Sequence, residues 1–468
     1  MPFIQRKADF GEFFPARNPV RLTEALLHDR FGGSRPLQVD FVGDMQNPFV
    51  LKEMLRFERF LSGENLARHP ISVADVVAEM NDIMDGGKTI PDDPGRVANL
   101  MFLIEGQDMV TQLLNGDKSE GQIQAMTGMV EVGELARTVA SMDAYISRME
   151  KTLAVVDVAA LTPPDAAAVL RYRSGRTAQA LRWIARTRMP GTAFDEQALA
   201  ERLAALYAGG RPLPAPAQGL AEILPLMPAA LQADPSFRQD AEGELADLAQ
   251  ERAAVPPGIA ERLAGSSGVE AETVSFQAAY TGMPLITWHM DQSILKSQGE
   301  SLLIALAFIF ILLAIKLRSI RGGILGLAPI VLAIAVMFGF MGLAGIPINV
   351  ATVLVASIAL GIGIDYVIHF SVRFTTYYRG PGSAADAVKK TIQTTGTAII
   401  INVLAVTMGF VTLVFANLVP LQQFGILTAI AMIASGVGAF TLLPALILMA
   451  PTAFVGAQKR KSKEAITT

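Results

Sequence analysis

The chain has 468 residues, with 43 acidic and 39 basic side chains and no cysteine. The lack of cysteine excludes disulfides and thiol chemistry, and the length allows two or three domains. Residues 1–300 carry 40 acidic and 28 basic side chains, whereas residues 301–468 carry three acidic and eleven basic ones. This division predicts an acidic soluble part followed by a hydrophobic part with basic edges, and no nucleic acid partner for either.

The first strand and helix are predicted near the start of the chain. Residues 1–36 form a short initial segment without the apolar core of a signal peptide. Leu37–Val42 alternates like a strand, and Asn47 followed by Pro48 predicts the start of a buried helix. A further apolar stretch near Ile71–Val77 then suggests a βαβ-type unit.

Helical patterns dominate the next part of the chain. Asn99–Leu114 and Gly133–Leu153 are predicted helices, and Ile123–Val132 is compatible with a strand or a helix. Residues 161–268 are rich in Ala, Arg, Glu, Leu and Pro in helix-length blocks, which predicts an inserted helical subdomain. Alternation in Glu272–Gly282 predicts a strand that returns to the first sheet.

Five apolar segments follow, each close to the length needed to cross a bilayer. They lie at about 301–317, 323–344, 347–372, 396–416 and 422–450. We therefore expect a transmembrane domain of five helices at 297–455 and a basic tail at 456–468. Ser383 and Asp386 resemble a capping box before the fourth segment.

The charges between these segments predict an orientation. Basic residues follow the first, third and fifth segments, and the two remaining loops carry no charge. By the positive-inside rule the basic ends are cytoplasmic, so residues 37–160 and 269–296 are expected to form an extracytoplasmic α+β domain. This orientation places the N-terminus outside, and we expect a spanning helix before Met1.

The third segment contains an acid in the run GIGIDYVIHF, Gly361–Phe370. A carboxylate near the bilayer centre costs about 2.5–3.5 kcal/mol on insertion scales, and desolvation favours its neutral form. Gly361, Asp365 and His369 share one helical stripe, with Tyr366 beside the acid. This pattern favours a titrating site in a proton pathway. The alternative is a structural polar contact between helices.

Small residues accompany this acid. Gly361 and Gly363 would let a neighbouring helix approach closely. In the fourth segment Asn402 could donate a hydrogen bond to Asp365, or could only hold helices together. It belongs to a stripe of small or polar residues: Thr395, Ala398, Asn402, Ala405 and Gly409.

These segments resemble the resistance-nodulation-division (RND) superfamily, in its MmpL-like branch of predicted exporters. FFPARNPV and FGGSRPLQVDFVGD resemble the opening of an extracytoplasmic porter domain. Four further segments resemble the successive membrane spans of this superfamily: SQGESLLIALAFIF, LGIGIDYVIHFSVRF, TTGTAIIINVLAVTMGF and FGILTAIAMIASGVGAFTLLPALI. The resemblance implies an α+β porter domain followed by an all-α bundle of five transmembrane helices, with Asp365 and Tyr366 in a proton relay. His369 and Asn402 are candidates for its support.

The block of five segments also resembles a sterol-sensing domain of the Patched type, whose GxxxD pattern fits Gly361–Asp365. RND proteins usually join two halves in one chain, and this chain resembles one half. The resemblance therefore implies a second half as partner, either an identical subunit or a separately encoded chain.

The function expected from the resemblance is proton-driven export of lipid or other hydrophobic molecules across the bacterial inner membrane. The alternative is a lipid-binding sensor module without active transport. A protein-translocation motor is disfavoured by the pair Tyr366-Val367. The sequence shows no nucleophile–base pair and no set of metal ligands, so we expect neither an enzyme nor a cofactor.

Overall fold

The computed structural model describes residues 13–64, 66–128, 132–191, 195–208, 213–379 and 383–454. It divides the chain into two units. Residues 24–286 make up the soluble unit, and the membrane unit holds the described residues on either side of it.

Seven strands lie in the described part of the soluble unit. They are β1 Arg35–Val42, β2 Arg68–Ile71, β3 Glu120–Thr127, β4 Thr152–Asp157, β5 Arg252–Val255, β6 Glu272–Ser275 and β7 Gln277–Gly282. They form two antiparallel sheets, one with the strand order β2-β3-β1-β7 and the other with the order β5-β4-β6.

Twelve α-helices of the described residues end before residue 286. They are α1 Pro19–Phe31, α2 Pro48–Ser62, α3 Val73–Ile83, α4 Pro94–Ile104, α5 Asp108–Leu113, α6 Val132–Arg148, α7 Pro163–Arg188, α8 Glu196–Tyr207, α9 Pro216–Ile223, α10 Ala229–Ala233, α11 Pro235–Leu248 and α12 Pro257–Ser267. The predicted start of α2 is confirmed, because the Asn47 side chain accepts a hydrogen bond from the Phe49 amide at 2.9 Å.

The predicted βαβ unit is present in a split form. β1 and β2 both pair antiparallel with β3, so they run parallel to each other with β3 between them. The second strand is Arg68–Ile71, not the predicted Ile71–Val77, because Ser72 caps a helix there. Its hydroxyl accepts hydrogen bonds from the amides of Ala74 and Asp75.

Two predicted elements are each divided in the structure. Asn99–Leu114 forms α4 and α5, which are separated around Gly106, a glycine with φ 82°. Glu272–Gly282 forms β6 and β7, which meet at Phe276. β6 pairs with β4 in the second sheet, whereas β7 pairs with β1 and returns to the first sheet as predicted.

The inserted segment is helical for most of its length. Helices α7 to α11 share a core that includes Leu181, Leu203, Phe237 and Leu245. The segment 161–268 also contains one strand, since β5 pairs with β4 inside this range. The four residues of β5, RAAV, are too few to show a strand period in the sequence.

Buried ion pairs join the inserted helices α7 and α11 to α2. Glu244 of α11 is fully buried and accepts hydrogen bonds from Arg56 Nε at 2.8 Å and Arg59 Nη1 at 2.9 Å. Burial alone would raise the pKa of Glu244, but these two guanidinium groups lower it. Arg176 of α7 donates to both carboxylate oxygens of Glu53 at 2.8 Å.

The remaining helices of the described chain belong to the membrane unit, except for the first four residues of α13. They are α13 Met283–Leu317, α14 Ile320–Ala344, α15 Val350–Tyr377, α16 Ala384–Val411, α17 Val419–Phe440 and α18 Leu442–Met449. Five segments within the described ranges are long and apolar enough to span a bilayer: Lys296–Leu317, Ile320–Ala344, Ala351–Tyr377, Ala384–Phe415 and Val419–Met449. The predicted number of spans is therefore confirmed.

The start of α16 differs from its prediction. Ser383 precedes the helix but makes no side-chain cap hydrogen bond, and its hydroxyl instead accepts from the Arg379 amide at 2.9 Å. The helix continues from Ala384 into the span without a separate amphipathic helix.

Helix α17 is the centre of the bundle and packs against α14, α15 and α16. Glycines permit these contacts. A Cβ atom at Gly425 would lie 2.5 Å from the Phe410 carbonyl oxygen, and one at Gly438 would lie 3.2 Å from Pro329 Cβ. These distances leave no room for a side chain larger than hydrogen at Gly425.

We expect Gly425→Ala to destabilise the bundle by about 1–3 kcal/mol, because the new methyl group would overlap a main-chain oxygen that cannot rotate away. The matched control is Gly339→Ala in α14, where no atom lies within 4 Å of the new Cβ. Thermal unfolding of the two purified variants in detergent measures the difference. Equal midpoints would contradict this account of the packing.

Candidate functional site

Helix α15 carries the residues selected from the sequence, and its start is fixed by a capping box. The Asn349 side chain accepts hydrogen bonds from the amides of Ala351 and Thr352, and the Thr352 hydroxyl accepts from the Asn349 amide. The capping box satisfies main-chain donors that would otherwise be unpaired at the helix end.

One face of α15 is left uncovered by the residues that the structure describes. Gly361, Asp365 and His369 are all exposed and lie one turn apart on this face. The stripe predicted from the i, i+4, i+8 spacing is therefore a surface stripe. Leu354 and Val372 are also exposed along the helix.

Tyr366 lies on the buried side of α15. It is 1% exposed and belongs to a core that includes Leu313 of α13, Ile330 of α14 and Ile399 of α16. Its hydroxyl has no hydrogen-bond partner among the described residues. The neighbours Asp365 and Tyr366 thus face different surroundings, the acid at the surface of the bundle and the phenol within it.

The two glycines next to the acid differ in the same way. A Cβ atom at Gly363 would lie 2.8 Å from Ser435 Oγ of α17, whereas one at Gly361 would have no atom within 4 Å. Gly363 therefore packs closely against the centre of the bundle. Gly361 lies on the uncovered face beside Asp365.

Asn402 is exposed on α16 and forms no hydrogen bond with Asp365 in the structure. Of the two alternatives predicted for Asn402, a bond to Asp365 is therefore not present, and both side chains are exposed. Most of the predicted stripe on α16 is exposed with Asn402, namely Ala398, Ala405 and Gly409, while Thr395 is half-buried. Helices α15 and α16 pack against each other, and each leaves a face with a polar side chain uncovered.

Buried hydroxyl groups near these helices were not selected from the sequence. Ser371 of α15, Thr407 of α16 and Ser435 of α17 are buried, and their hydroxyl oxygens have no partner among the described residues. Gln298 of α13 donates to the main-chain oxygen of Val353 at 2.9 Å. The one available signal was a small polar residue inside an apolar span, which occurs too often to identify a site.

The chemistry open to this arrangement is proton binding. Asp365 and His369 are ionisable groups one turn apart on one face of an apolar helix. In the parts of the chain that the structure describes, no group of three His, Asp or Glu side chains is placed to hold a metal ion.

Comparison with known proteins agrees with this membrane bundle. Residues 250–466 match the profile of the MMPL family. The membrane part of the chain is MmpL-like. The matched range includes all five spans and begins two residues before β5, so it leaves out most of the soluble unit.

Curated relatives share the same region. A membrane protein of Methanocaldococcus jannaschii is 34% identical over 169 residues, which are 36% of this chain and 44% of that protein. The apo-petrobactin exporter of Bacillus anthracis is 28% identical over 201 residues, 41% of this chain and 24% of the exporter. The sulfolipid-1 exporter MmpL8 of Mycobacterium tuberculosis is 31% identical over 109 residues, 23% of this chain and 10% of that protein. The chain thus spans less than half the length of these relatives.

We expect Tyr366→Phe to leave the stability of the bundle unchanged or to raise it by about 1 kcal/mol, because the hydroxyl it removes is buried without a partner. Tyr366→Ala should lower stability by about 3–5 kcal/mol, since it empties a packed site. Thermal unfolding in detergent distinguishes the two. A large loss of stability in Tyr366→Phe would show that the hydroxyl has a structural partner.

Proposed function

We propose that this chain is one half of a proton-driven exporter of lipid or other hydrophobic molecules. The observation that carries the proposal is a carboxylate, Asp365, on an uncovered face of an apolar membrane helix. A charged group there is costly, and such groups in spans commonly belong to ion or proton pathways. The similarity of the membrane part to proteins named as exporters supports this reading.

Asp365 is the proposed proton-coupling residue. Each proton that crosses the membrane supplies about 2.3 kcal/mol per 100 mV of potential, and binding a proton removes the charge of the carboxylate. Tyr366, the next residue, is packed in the core with residues of α13, α14 and α16. A change at Asp365 would therefore be transmitted to these helices through Tyr366. His369 is proposed to support the relay from one turn further along α15.

The proposed location is the bacterial inner membrane, with the soluble unit outside the cytoplasm. Basic residues cluster after the first, third and fifth spans, and the loops after the second and fourth spans have none. Short loops rich in Lys and Arg remain on the cytoplasmic side. Because the number of spans is odd, the segments before the first span and after the last one lie on opposite sides of the membrane. The C-terminus is then in the cytoplasm.

The uncovered face of α15 also supports a partner in the membrane. If α15 faced lipid, the charge of Asp365 would lie against the hydrocarbon of the bilayer, which is costly. A second RND half packed on this face would enclose Asp365 in protein, and Gly361 would permit close approach of its helix. We propose that this partner is either a second copy of the chain or a separately encoded half.

Asp365→Asn is expected to abolish export, because asparagine keeps the shape of the side chain but cannot bind and release the proton. The measurement is mass spectrometry of envelope lipids from a strain that lacks the protein, complemented with each variant at equal expression. His369→Ala should cause a smaller loss than Asp365→Asn.

Asp386→Asn is the matched control, since Asp386 is exposed in the first turn of α16, and it should restore the wild-type lipid profile. Full complementation by Asp365→Asn would exclude Asp365 as the coupling residue. A sensor module without transport would instead leave the exported lipids unchanged when the protein itself is removed.

We expect Gly361→Cys to form crosslinks in native membranes, because Gly361 lies on the face that the partner is proposed to cover. The chain has no cysteine of its own, so the background is clean. Gly339→Cys on α14 is the matched control, because a side chain at either glycine meets no atom within 4 Å. A dimer-sized product from Gly361→Cys alone identifies a second copy as the partner.

A Gly361→Cys protein that exports normally, reacts freely with a membrane-permeant maleimide and forms no crosslinked product would contradict a partner on this face.

A further inference from the structure

A polar cleft lies in the soluble unit at the junction of α2, α7 and β5. Its open space, including the part continuous with solvent, is about 430 Å³. Cations dominate its charged lining: Lys52, Arg56, Arg173, Arg176 and Arg252. Two carboxylates, Glu53 and Asp247, also line it.

Four of these five cations have a carboxylate partner. Lys52 pairs with Asp92, Arg56 with Glu244, Arg176 with Glu53 and Arg252 with Glu272. These pairs account for the structural role of the cleft, which joins the inserted helices to α2 and to the second sheet.

Arg173 differs from the other four. Among the described residues no carboxylate forms an ion pair with it, and its guanidinium group donates to the main-chain oxygens of Asp247 and Gln250, the latter at 3.1 Å. Burial lowers the pKa of Arg173, because the positive charge has lost water without gaining a full counter-charge. The carboxylates of Asp247 and Asp92 offset this effect only in part. An anion in the cleft would supply the remaining counter-charge of this partly buried group.

The surroundings of Arg173 fit an oxyanion. A guanidinium group has five N–H donors in a planar fork. The hydrogen bonds to Asp247 and Gln250 use only two of them. At the same cleft the Phe49 ring has Lys52 Nζ at 5.0 Å and Arg252 Cζ at 5.5 Å from its centre. This ring keeps both cations near the cleft and provides an apolar wall.

We propose that this cleft binds a phosphate group, with Arg173 supplying the unmatched charge and Arg252 and Lys52 closing around the ligand. Arginine forks match phosphate oxygens in geometry and charge. The phosphate belongs either to a free phosphate ester or to a phospholipid headgroup. The site lies wholly in the soluble unit, and its occupancy does not depend on proton coupling at Asp365.

The test is isothermal titration calorimetry of the full chain in detergent, in phosphate-free buffer at low ionic strength. Three probes are titrated: inorganic phosphate, glycerol 3-phosphate, and short-chain dihexanoylphosphatidylglycerol below its micelle concentration. Saturable binding is expected for at least one. Tightest binding of glycerol 3-phosphate identifies a free ester, and tightest binding of the lipid identifies a headgroup.

Arg173→Gln should weaken this binding by about tenfold or more, because it removes a charged hydrogen-bond donor. Arg182→Gln is the control, since Arg182 lies on the same helix, is 49% exposed and pairs with Glu196 away from the cleft. It should change the Kd less than threefold. If Arg173→Gln melts at a lower temperature than the wild type, Arg252→Gln at the edge of the cleft replaces it in the comparison.

No saturable heat with any of the three probes would overturn the proposal. Equal weakening by Arg173→Gln and Arg182→Gln would also overturn it, because the heat would then come from general ionic attraction. We expect Asp365→Asn to lose export while its phosphate binding stays unchanged. This result would show that the two proposals are independent of each other.

Discussion

The cost of an ionisable side chain in hydrocarbon is the constraint on which the membrane unit depends. Most of the surface of α15 is covered by neighbouring helices. Tyr366, Val367 and Phe370 are buried in the bundle, and α17 lies close against Gly363. The stripe that includes Asp365 is left at the surface of the chain. A bilayer offers no water to satisfy such a group. The face that carries the acid is therefore the face on which the proposed partner would pack.

The small residues of the bundle have two separate uses. At Gly363, Gly425 and Gly438 the absence of a side chain lets α17 contact its neighbours within the chain. At Gly361 and Gly409 no atom of the described chain lies within 4 Å of a Cβ position. Without a hydrophobic force between helices in lipid, close packing of this kind is a main source of their association. Glycines of the second group are available for contacts with another molecule.

Helices of the soluble unit are joined by buried ion pairs, whereas helices of the membrane unit pack closely at small residues. Its inserted helices join α2 through Glu244, Glu53 and the arginines that bind them. Gly243 makes room for this arrangement, since a Cβ there would lie 2.3 Å from Arg59 Nη2. Removing one member of such a buried network leaves its partner charged and unpaired, which is more costly than the net value of the pair. Among the described residues, Arg173 is the cation of this cluster that forms no ion pair with a carboxylate, although Asp247 and Asp92 lie near enough to act on its charge.

The sequence alone determined the membrane part of this protein. Runs of about 20 apolar residues have one stable form in a bilayer, so the five spans and the acid inside the third could be predicted without tertiary contacts. The capped start of α2 and the first strand were also predictable, because they depend on residues that are neighbours in the sequence.

The tertiary structure alone decided which face of α15 is covered, that Tyr366 is buried while Asp365 is not, and that Asn402 forms no bond with the acid. It also decided the pairing of β5 with β4 and the ion pairs of Glu53 and Glu244. These contacts join residues up to 188 positions apart, and such distances leave no local pattern in the sequence.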